Sequence, residues 1–147
     1  MKKNTFQLDK TVAHFNSMNN YSQRKGVVHS TDPEMLQFIK QYSKSNSKIL
    51  EIGGGSGALL DLCMSEIEGL QGINVELAHQ AYSHQVNPDI QIIGGNVLSL
   101  PFNDQQFDFV VIKNVFHHLV GNSVSDSKNN VHTAISEIVR VSNLNSA

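Results

Sequence analysis

The feature that most constrains the fold of this chain is a glycine-rich turn at residues 53–57, directly after an aliphatic segment. Residues 48–67 read KILEIGGGSGALLDLCMSEI. The part before the turn is typical of a buried strand, and the part after it of a helix. Glycines at 53, 55 and 57 let a ligand approach the backbone, because no Cβ intervenes, and the helix start then presents its amide groups outward. The turn is therefore predicted either to hold a ligand or to be a tight connection without one.

The rest of the chain after residue 47 alternates short aliphatic runs with amphipathic ones. INVEL, IQIIG and FDFVVIK are predicted to be three further strands, and AHQAYSHQV and HTAISEIVRV two further helices. Strands of continuous aliphatic residues separated by helices predict a parallel sheet covered on both faces, which is the α/β doubly wound class. The polar stretch GNSVSDSKNN, residues 121–130, is predicted to be a mobile loop.

Residues 1–46 are predicted to be a helical segment that caps the domain formed by residues 47–147. A first helix is indicated by apolar residues at helical spacing, with Tyr21 at its far edge. A second should begin at Thr31-Asp32-Pro33-Glu34, which offers a capping residue, an early proline and an acidic first turn. The first apolar stripe consists of Phe6, Val12, Phe15 and Met18.

The composition of the chain limits the kinds of partner that we expect it to bind. The chain has 147 residues, a formal net charge of −2 and a single cysteine, Cys63. A net charge this close to zero creates no broad positive electrostatic field that would attract nucleic acid. A single cysteine excludes a disulfide framework and a multi-cysteine zinc site. No apolar run reaches the length of about 18 residues that spans a membrane, and the N-terminus has no apolar stretch typical of a secretory signal. We therefore expect a soluble, cytoplasmic protein that binds neither nucleic acid nor membrane and holds no metal.

Two carboxylates suggest what the turn binds. Glu51 stands two residues before Gly53 at the end of the first strand, where it can face a cationic group. Glu76 ends the second strand, 19 residues after Gly57, where such folds hold ribose hydroxyls. A nucleoside with a positively charged tail satisfies both, and S-adenosylmethionine is such a molecule. The alternative is NAD, through the fingerprint Gly53, Gly55 and Ala58, although Glu51 would repel its phosphates.

With these motifs in place, the sequence resembles a class I S-adenosylmethionine-dependent methyltransferase of the small-molecule branch, typified by ubiquinone and menaquinone biosynthesis. The resemblance implies a Rossmann-like sheet with strand order 3-2-1-4. It is carried by segments in the family's order along residues 48–141, namely EIGGGSG (51–57), EL (76–77), GNVLSLPF (95–102), FDFVV (107–111), VFHHL (115–119) and ISEIVRV (135–141).

The resemblance implies a cofactor site, which we predict from the matching positions. The family's acid that accepts a hydrogen bond from the adenine amino group is replaced by Asn96, whose amide oxygen can accept that bond without a charge. The first helical segment, with Tyr21, is a candidate lid, and the alternative is that it simply packs on the sheet. The predicted cofactor-binding residues are Glu51, Gly53, Gly55, Gly57, Glu76, Leu77, Asn96 and Val97, with the backbone carbonyls of Lys113 and Asn114.

A second departure from the family lies after Val141, where the sequence reads SNLNSA. The family continues through K-P-G-G into a fifth strand and an antiparallel hairpin. The resemblance therefore implies a sheet truncated after its fourth strand and the following helix. An aliphatic edge such as FVVI is an association hazard, so we predict homo-oligomers that form through this edge.

The predicted activity is methyl transfer to a small-molecule acceptor. Displacement at an activated sulfonium needs mainly positioning, with a base where the acceptor must lose a proton. His117 and His118 follow the fourth strand, and either could be that base, whereas the alternative is that one packs on the sheet and the other is solvated. Cys63 is predicted to be a core residue. The competing hypotheses are a cofactor-binding or assembly module without turnover and an NAD-dependent reductase.

Overall fold

The computed structural model describes residues 4–17, 31–78 and 85–145. The elements are helix α1 (Asn4–Asn16), helix α2 (Asp32–Tyr42), strand β1 (Lys48–Ile52), helix α3 (Ala58–Glu66), strand β2 (Gln71–Glu76), strand β3 (Gln91–Gly94), strand β4 (Phe109–Ile112), a short 3-10 helix (Phe116–His118) and helix α4 (Val124–Val141).

The four described strands form one parallel sheet in the order β3-β2-β1-β4. This order confirms the predicted doubly wound α/β sheet. Glu51 of β1 is in register with Asn74 of β2 and Val111 of β4, and Glu76 of β2 with Gly94 of β3. Because all strands are parallel, their carboxyl ends share one edge of the sheet, where such folds bind their ligands.

Each face of the sheet is covered by its own apolar cluster. One side is closed by α2 and α3, whose buried Ile39, Leu60 and Cys63 pack with Ile49. The other is closed by α4 and the segment before β4. The strands are continuous aliphatic runs because both of their faces are buried. The second cluster consists of Leu50, Ile52, Val75, Val97, Leu100, Phe107, Ala134 and Val141.

The N-terminal helices are present where the sequence predicts them. Helix α2 begins at Asp32, as the Thr31-Asp32-Pro33-Glu34 pattern predicts, but Thr31 makes no side-chain capping hydrogen bond. Asp32 is fully buried. Met18 and the candidate lid residue Tyr21 lie outside the described residues, as does most of the predicted helix AHQAYSHQV.

The prediction of a mobile loop over residues 121–130 is wrong for most of that segment. Helix α4 already begins at Val124, because the side chain of Ser123 accepts a hydrogen bond from the Asp126 amide (3.0 Å) and caps the helix. Buried Asn130 donates to the carbonyl oxygen of Leu119 (3.2 Å). The polar composition of this stretch is that of a capped amphipathic helix, which continues to Val141.

Strand β4 is one edge of the described sheet. The segment after α4 meets the beginning of this edge, where Ser142 forms a parallel bridge with Phe107 and the Asn143 amide donates to the Phe107 carbonyl oxygen (2.7 Å). Association through this edge remains a prediction. None of the helices in the described ranges is long and apolar enough to cross a membrane.

Candidate functional site

The glycine turn lies at the carboxyl edge of the sheet and has a backbone conformation that glycine adopts at lower cost than residues with a side chain. Gly53, Gly55 and Gly57 have φ values of 70°, 59° and 81°, in the left-handed region that glycine favours. A Cβ on Gly53 would also stand 2.5 Å from Cγ2 of Val115. The turn therefore needs glycine for its conformation, and at Gly53 also for the close approach of the segment after β4.

Asn74 holds this turn from the neighbouring strand. Its side chain is fully buried. Oδ1 accepts a hydrogen bond from the Gly54 amide (3.0 Å), and Nδ2 donates to the Gly55 carbonyl oxygen (2.9 Å). Sequence reasoning did not identify this residue. The available signal was a carboxamide within the otherwise aliphatic strand INVEL, since a buried polar side chain needs partners.

Glu76 also braces the turn. One carboxylate oxygen accepts from the Gly55 amide (3.0 Å), and the other from the amides of Leu77 (2.9 Å) and Ala78 (3.3 Å). Burial raises the pKa of Glu76 in spite of these three donors. A carboxylate oxygen has two lone-pair directions, so the oxygen bonded to Gly55 can accept one further hydrogen bond, for example from a hydroxyl group, while Glu76 positions the turn.

Four backbone amides of the turn are hydrogen-bonded within the protein. Gly53 donates to the Val75 carbonyl oxygen (2.8 Å) and Gly57 to that of Gly54 (3.1 Å), while Gly54 and Gly55 donate to the side chains of β2. A pyrophosphate bound at this turn would need free amides pointing at it. The geometry, together with two carboxylates at the same edge, does not favour the NAD interpretation.

Glu51 presents a buried carboxylate beside the turn. Only 2% of its surface is exposed, and its Oε2 has no hydrogen-bond partner in the part of the chain that the structure describes. Burial raises the pKa of Glu51 to about 7, and the ammonium of Lys113, 3.9 Å from Oε1, opposes that rise. A buried acceptor without a partner is costly, and a cationic or hydrogen-bonding ligand group would satisfy it.

Lys113 and Asn114 lie where the chain leaves β4. The Lys113 ammonium is 2.6 Å from a carboxylate oxygen of buried Asp32, so β4 is joined to the start of α2 by an ion pair. Asn114 has a left-handed backbone with φ 55°, which is uncommon outside glycine and is tolerated best by Asn and Asp. The side chain of Lys113 thus contributes to the site, whereas the sequence predicted a role only for its backbone carbonyl group.

The residues predicted to contact adenine are placed beside β3. The Asn96 side-chain oxygen accepts a hydrogen bond from the Leu98 amide (3.0 Å), so one of its two acceptor positions is used to shape the turn. Val97 is buried and Leu77 is half-buried. Nothing in these positions conflicts with the predicted role, which remains a prediction.

The two candidate bases occupy the 3-10 helix after β4. Their rings lie 3.8 Å apart between centroids; His117 is exposed and His118 half-buried. Burial, then the imidazoles of His117 and His14, lowers the pKa of His118. A neutral imidazole near pH 7 is the form that accepts a proton.

Cys63 is a core residue, as predicted. It is fully buried, and burial raises the pKa of its thiol to about 12, which makes it inert as a nucleophile. Within the described ranges, no cluster of three or more histidine, cysteine, aspartate or glutamate residues could hold a metal ion.

Replacing Asn74 tests its role in the turn. Asn74→Ala leaves the Gly54 amide and the Gly55 carbonyl without their side-chain partner, so we expect the free energy of unfolding to fall by roughly 1–3 kcal/mol in chemical denaturation. Asn129→Ala, on the exposed side of α4, is the control and should change it by less than about 0.5 kcal/mol. Equal effects of the two substitutions would contradict the assignment.

Glu51 should make stability depend on pH. Its pKa is raised from 4.5 to about 7, so the folded chain retains a proton that the unfolded chain releases, and this residue destabilises the fold as pH rises through that window. The stability of Glu51→Gln relative to the parent should therefore increase by roughly 1–3 kcal/mol between pH 4 and pH 8. Exposed Glu68→Gln is the control. A difference that does not vary with pH would show that Glu51 titrates normally.

Comparison with known proteins identifies the family of this chain. A family model described as "Methyltransferase domain" matches residues 50–145. Bergaptol O-methyltransferase of Glehnia littoralis is 30% identical over 117 residues, which cover 78% of this chain and 30% of that enzyme. The chain thus spans about a third of the length of this curated relative.

Solved structures share the fold. A SAM-dependent methyltransferase from Aquifex aeolicus has a TM-score of 0.57 and 17% identity, over 92% of this chain and 66% of that one. Phosphoethanolamine N-methyltransferase 2 of Haemonchus contortus was solved with phosphomonomethylethanolamine and S-adenosylhomocysteine. It has a TM-score of 0.59 and 19% identity, and the match covers 75% of this chain and 26% of that one. The Rossmann-like fold predicted from the sequence is thereby confirmed. Since the family match covers more than half of its residues, this chain belongs to the family of methyltransferase domains.

Proposed function

We propose that this chain is the S-adenosylmethionine-binding domain of a methyltransferase that acts on a small molecule. The family and its solved neighbours indicate S-adenosylmethionine as the cofactor. The small-molecule acceptor is supported by the names of the relatives, which act on a phenol or on a phosphorylated amine.

The observation that carries the proposal is the unpartnered Oε2 of buried Glu51 beside a turn with three left-handed glycines. A cation placed there would stabilise the ionised carboxylate, which the protein alone disfavours by burial. Glu76 and Asn74 fix the turn at the edge of the sheet. The residues present therefore fit a nucleoside with a positively charged tail.

When bound, S-adenosylmethionine supplies an activated methyl group, so the protein contributes mainly orientation. In our proposal, Glu51 faces the charged tail, Glu76 and Leu77 face the ribose and adenine, and Asn96 with Val97 borders the adenine. Gly53, Gly55 and Gly57 form the backbone surface, and the carbonyl groups of Lys113 and Asn114 border the methionine end.

Calorimetric titration tests cofactor binding. Titration with S-adenosylhomocysteine should give a heat signal that fits one binding site, whereas titration with NAD should give none. Glu76→Gln removes the charge but keeps the shape of the side chain, and we expect it to weaken binding by about 1.5–3 kcal/mol, as is typical of a hydrogen bond to a charged group. Exposed Glu68→Gln should bind like the parent. Heat from NAD alone would overturn the proposal.

Methyl transfer tests the assignment of a base. Bergaptol and phosphomonomethylethanolamine, offered with methyl-labelled S-adenosylmethionine, distinguish a phenolic from an amine acceptor. For an acceptor that must lose a proton, replacing both His117 and His118 by Ala should lower kcat by about 100-fold or more and leave S-adenosylhomocysteine affinity unchanged. Unchanged turnover would remove the histidines from the mechanism.

A binding or assembly module without turnover is the alternative, which the family and the O-methyltransferase relatives do not favour. Binding of S-adenosylhomocysteine without methyl transfer to either acceptor would favour it. Self-association through β4 would fit this candidate and is measurable by light scattering.

A further inference from the structure

We propose that Asp32 is a positioning residue that holds the Lys113 ammonium away from Glu51 and so keeps Oε2 of Glu51 available to the cationic group of the ligand. The inference rests on the proposed function, because it takes the ligand to be a nucleoside with a positively charged tail. It assigns a role in cofactor recognition to helix α2, which lies outside the residues matched by the family model.

The geometry of three buried groups supports this role. The Lys113 ammonium lies 2.6 Å from Oδ1 of Asp32 and 3.9 Å from Oε1 of Glu51, so it is hydrogen-bonded to the first carboxylate and only near the second. The side chains of Asp32 and Glu51 are 1% and 2% exposed. Among the described residues, Oε2 of Glu51 has no hydrogen-bond partner.

Lys113 is a potential competitor of the ligand. It is an ammonium on a flexible stem, and a direct bond to Glu51 would supply the same charge and the same donor that the amino group of a bound amino acid supplies. Buried ion pairs at contact distance are hard to separate, because breaking one leaves an uncompensated charge. A Lys113 side chain bonded to Glu51 would therefore reduce the affinity for a cationic ligand.

The charged groups around Glu51 are consistent with a Lys113 side chain that bonds to Asp32 and not to Glu51. Lys113 favours its ionised form, whereas Asp32 and Glu76 disfavour it. Asp32 thus acts on Glu51 in two opposite ways. Its own charge opposes ionisation, while its hydrogen bond to Lys113 leaves the Lys113–Glu51 ion pair at 3.9 Å, too long for a hydrogen bond. The two effects separate experimentally when Asp32 and Lys113 are replaced singly and together.

The simpler explanation is that Asp32 only stabilises α2. It is the first residue of the helix, where an acid interacts favourably with the helix dipole. A structural effect of this kind would weaken every ligand alike and would add to the effect of replacing Lys113. Exposed Glu34, in the same first turn, offers a matched control for the dipole.

The first experiment compares two ligands by calorimetry at pH 8, on variants whose circular dichroism matches the parent. S-adenosylhomocysteine carries an ammonium, and 5′-methylthioadenosine is the corresponding nucleoside without it. We expect Asp32→Asn to weaken S-adenosylhomocysteine by about tenfold, which is typical of coupling between two sites, and to leave methylthioadenosine unchanged. Glu34→Gln should change neither. Equal weakening of both ligands by Asp32→Asn would overturn the proposal.

The second comparison adds Lys113→Met to Asp32→Asn. If Lys113 competes for Glu51, the double variant should recover most of the lost S-adenosylhomocysteine affinity, because the competitor is gone. A double variant that binds no better than Asp32→Asn alone would contradict the competition and leave Asp32 a structural residue.

A ligand-free measurement keeps the inference separate from the proposed function. The Glu51 carboxyl group, followed by carbon NMR, should titrate near pH 7 in the parent and at lower pH in Asp32→Asn. Loss of the Asp32 charge lowers this midpoint by itself, so the same substitution is also made in the Lys113→Met background, where no ammonium can pair with Glu51. The inference expects a larger downward shift with Lys113 present, and equal shifts in the two backgrounds would refute it. Failure of the parent to bind S-adenosylhomocysteine would refute the proposed function, and the difference between the two NMR shifts would then decide alone whether Asp32 holds Lys113.

Discussion

The site depends on the hydrogen bonds that join two side chains of β2 to the glycine turn after β1. Asn74 bonds to Gly54 and Gly55, and Glu76 bonds to Gly55. A turn with three left-handed glycines is intrinsically flexible, so these partners select one conformation. They act because β1 and β2 are parallel and in register, with Glu51 opposite Asn74. The sheet topology therefore also fixes the shape of the glycine turn.

The second organising element is a set of charges that burial makes costly. Asp32, Glu51 and Lys113 come from α2, β1 and the end of β4, and their side chains are at most 15% exposed. The Asp32–Lys113 pair satisfies two of them and leaves Glu51 with an unpartnered oxygen. Folding thus tolerates a raised pKa at Glu51, and binding a cation would relieve that cost. Functional sites are where such costs are expected to persist.

Much of the fold was predictable because its signals are local. The segment KILEI, which is predicted to be a strand, coincides with strand β1. The start of α2 at Asp32 was predictable from the proline and the acidic residues of its first turn. The segment 121–130 was mispredicted because polar composition was weighed above the cap at Ser123. Asn74 and the side chain of Lys113 were missed for another reason. Their partners are 20 and 81 residues away in the sequence, and no local pattern reports such contacts.

Neighbouring residues are enough to assign the class of the protein, since the glycine turn, the acid that ends β2 and the alternation of strands and helices are all local patterns. The role of each charged group depends instead on contacts between distant segments. Only the parallel register directs Asn74 and Glu76 to the turn, and only the packing of α2 on the sheet brings Asp32 to Lys113. Burial then distinguishes the carboxylate of Asp32, which is hydrogen-bonded to Lys113, from that of Glu51, which keeps one unpartnered oxygen. The difference arises because desolvation depends on every group packed around a side chain and not on its sequence neighbours.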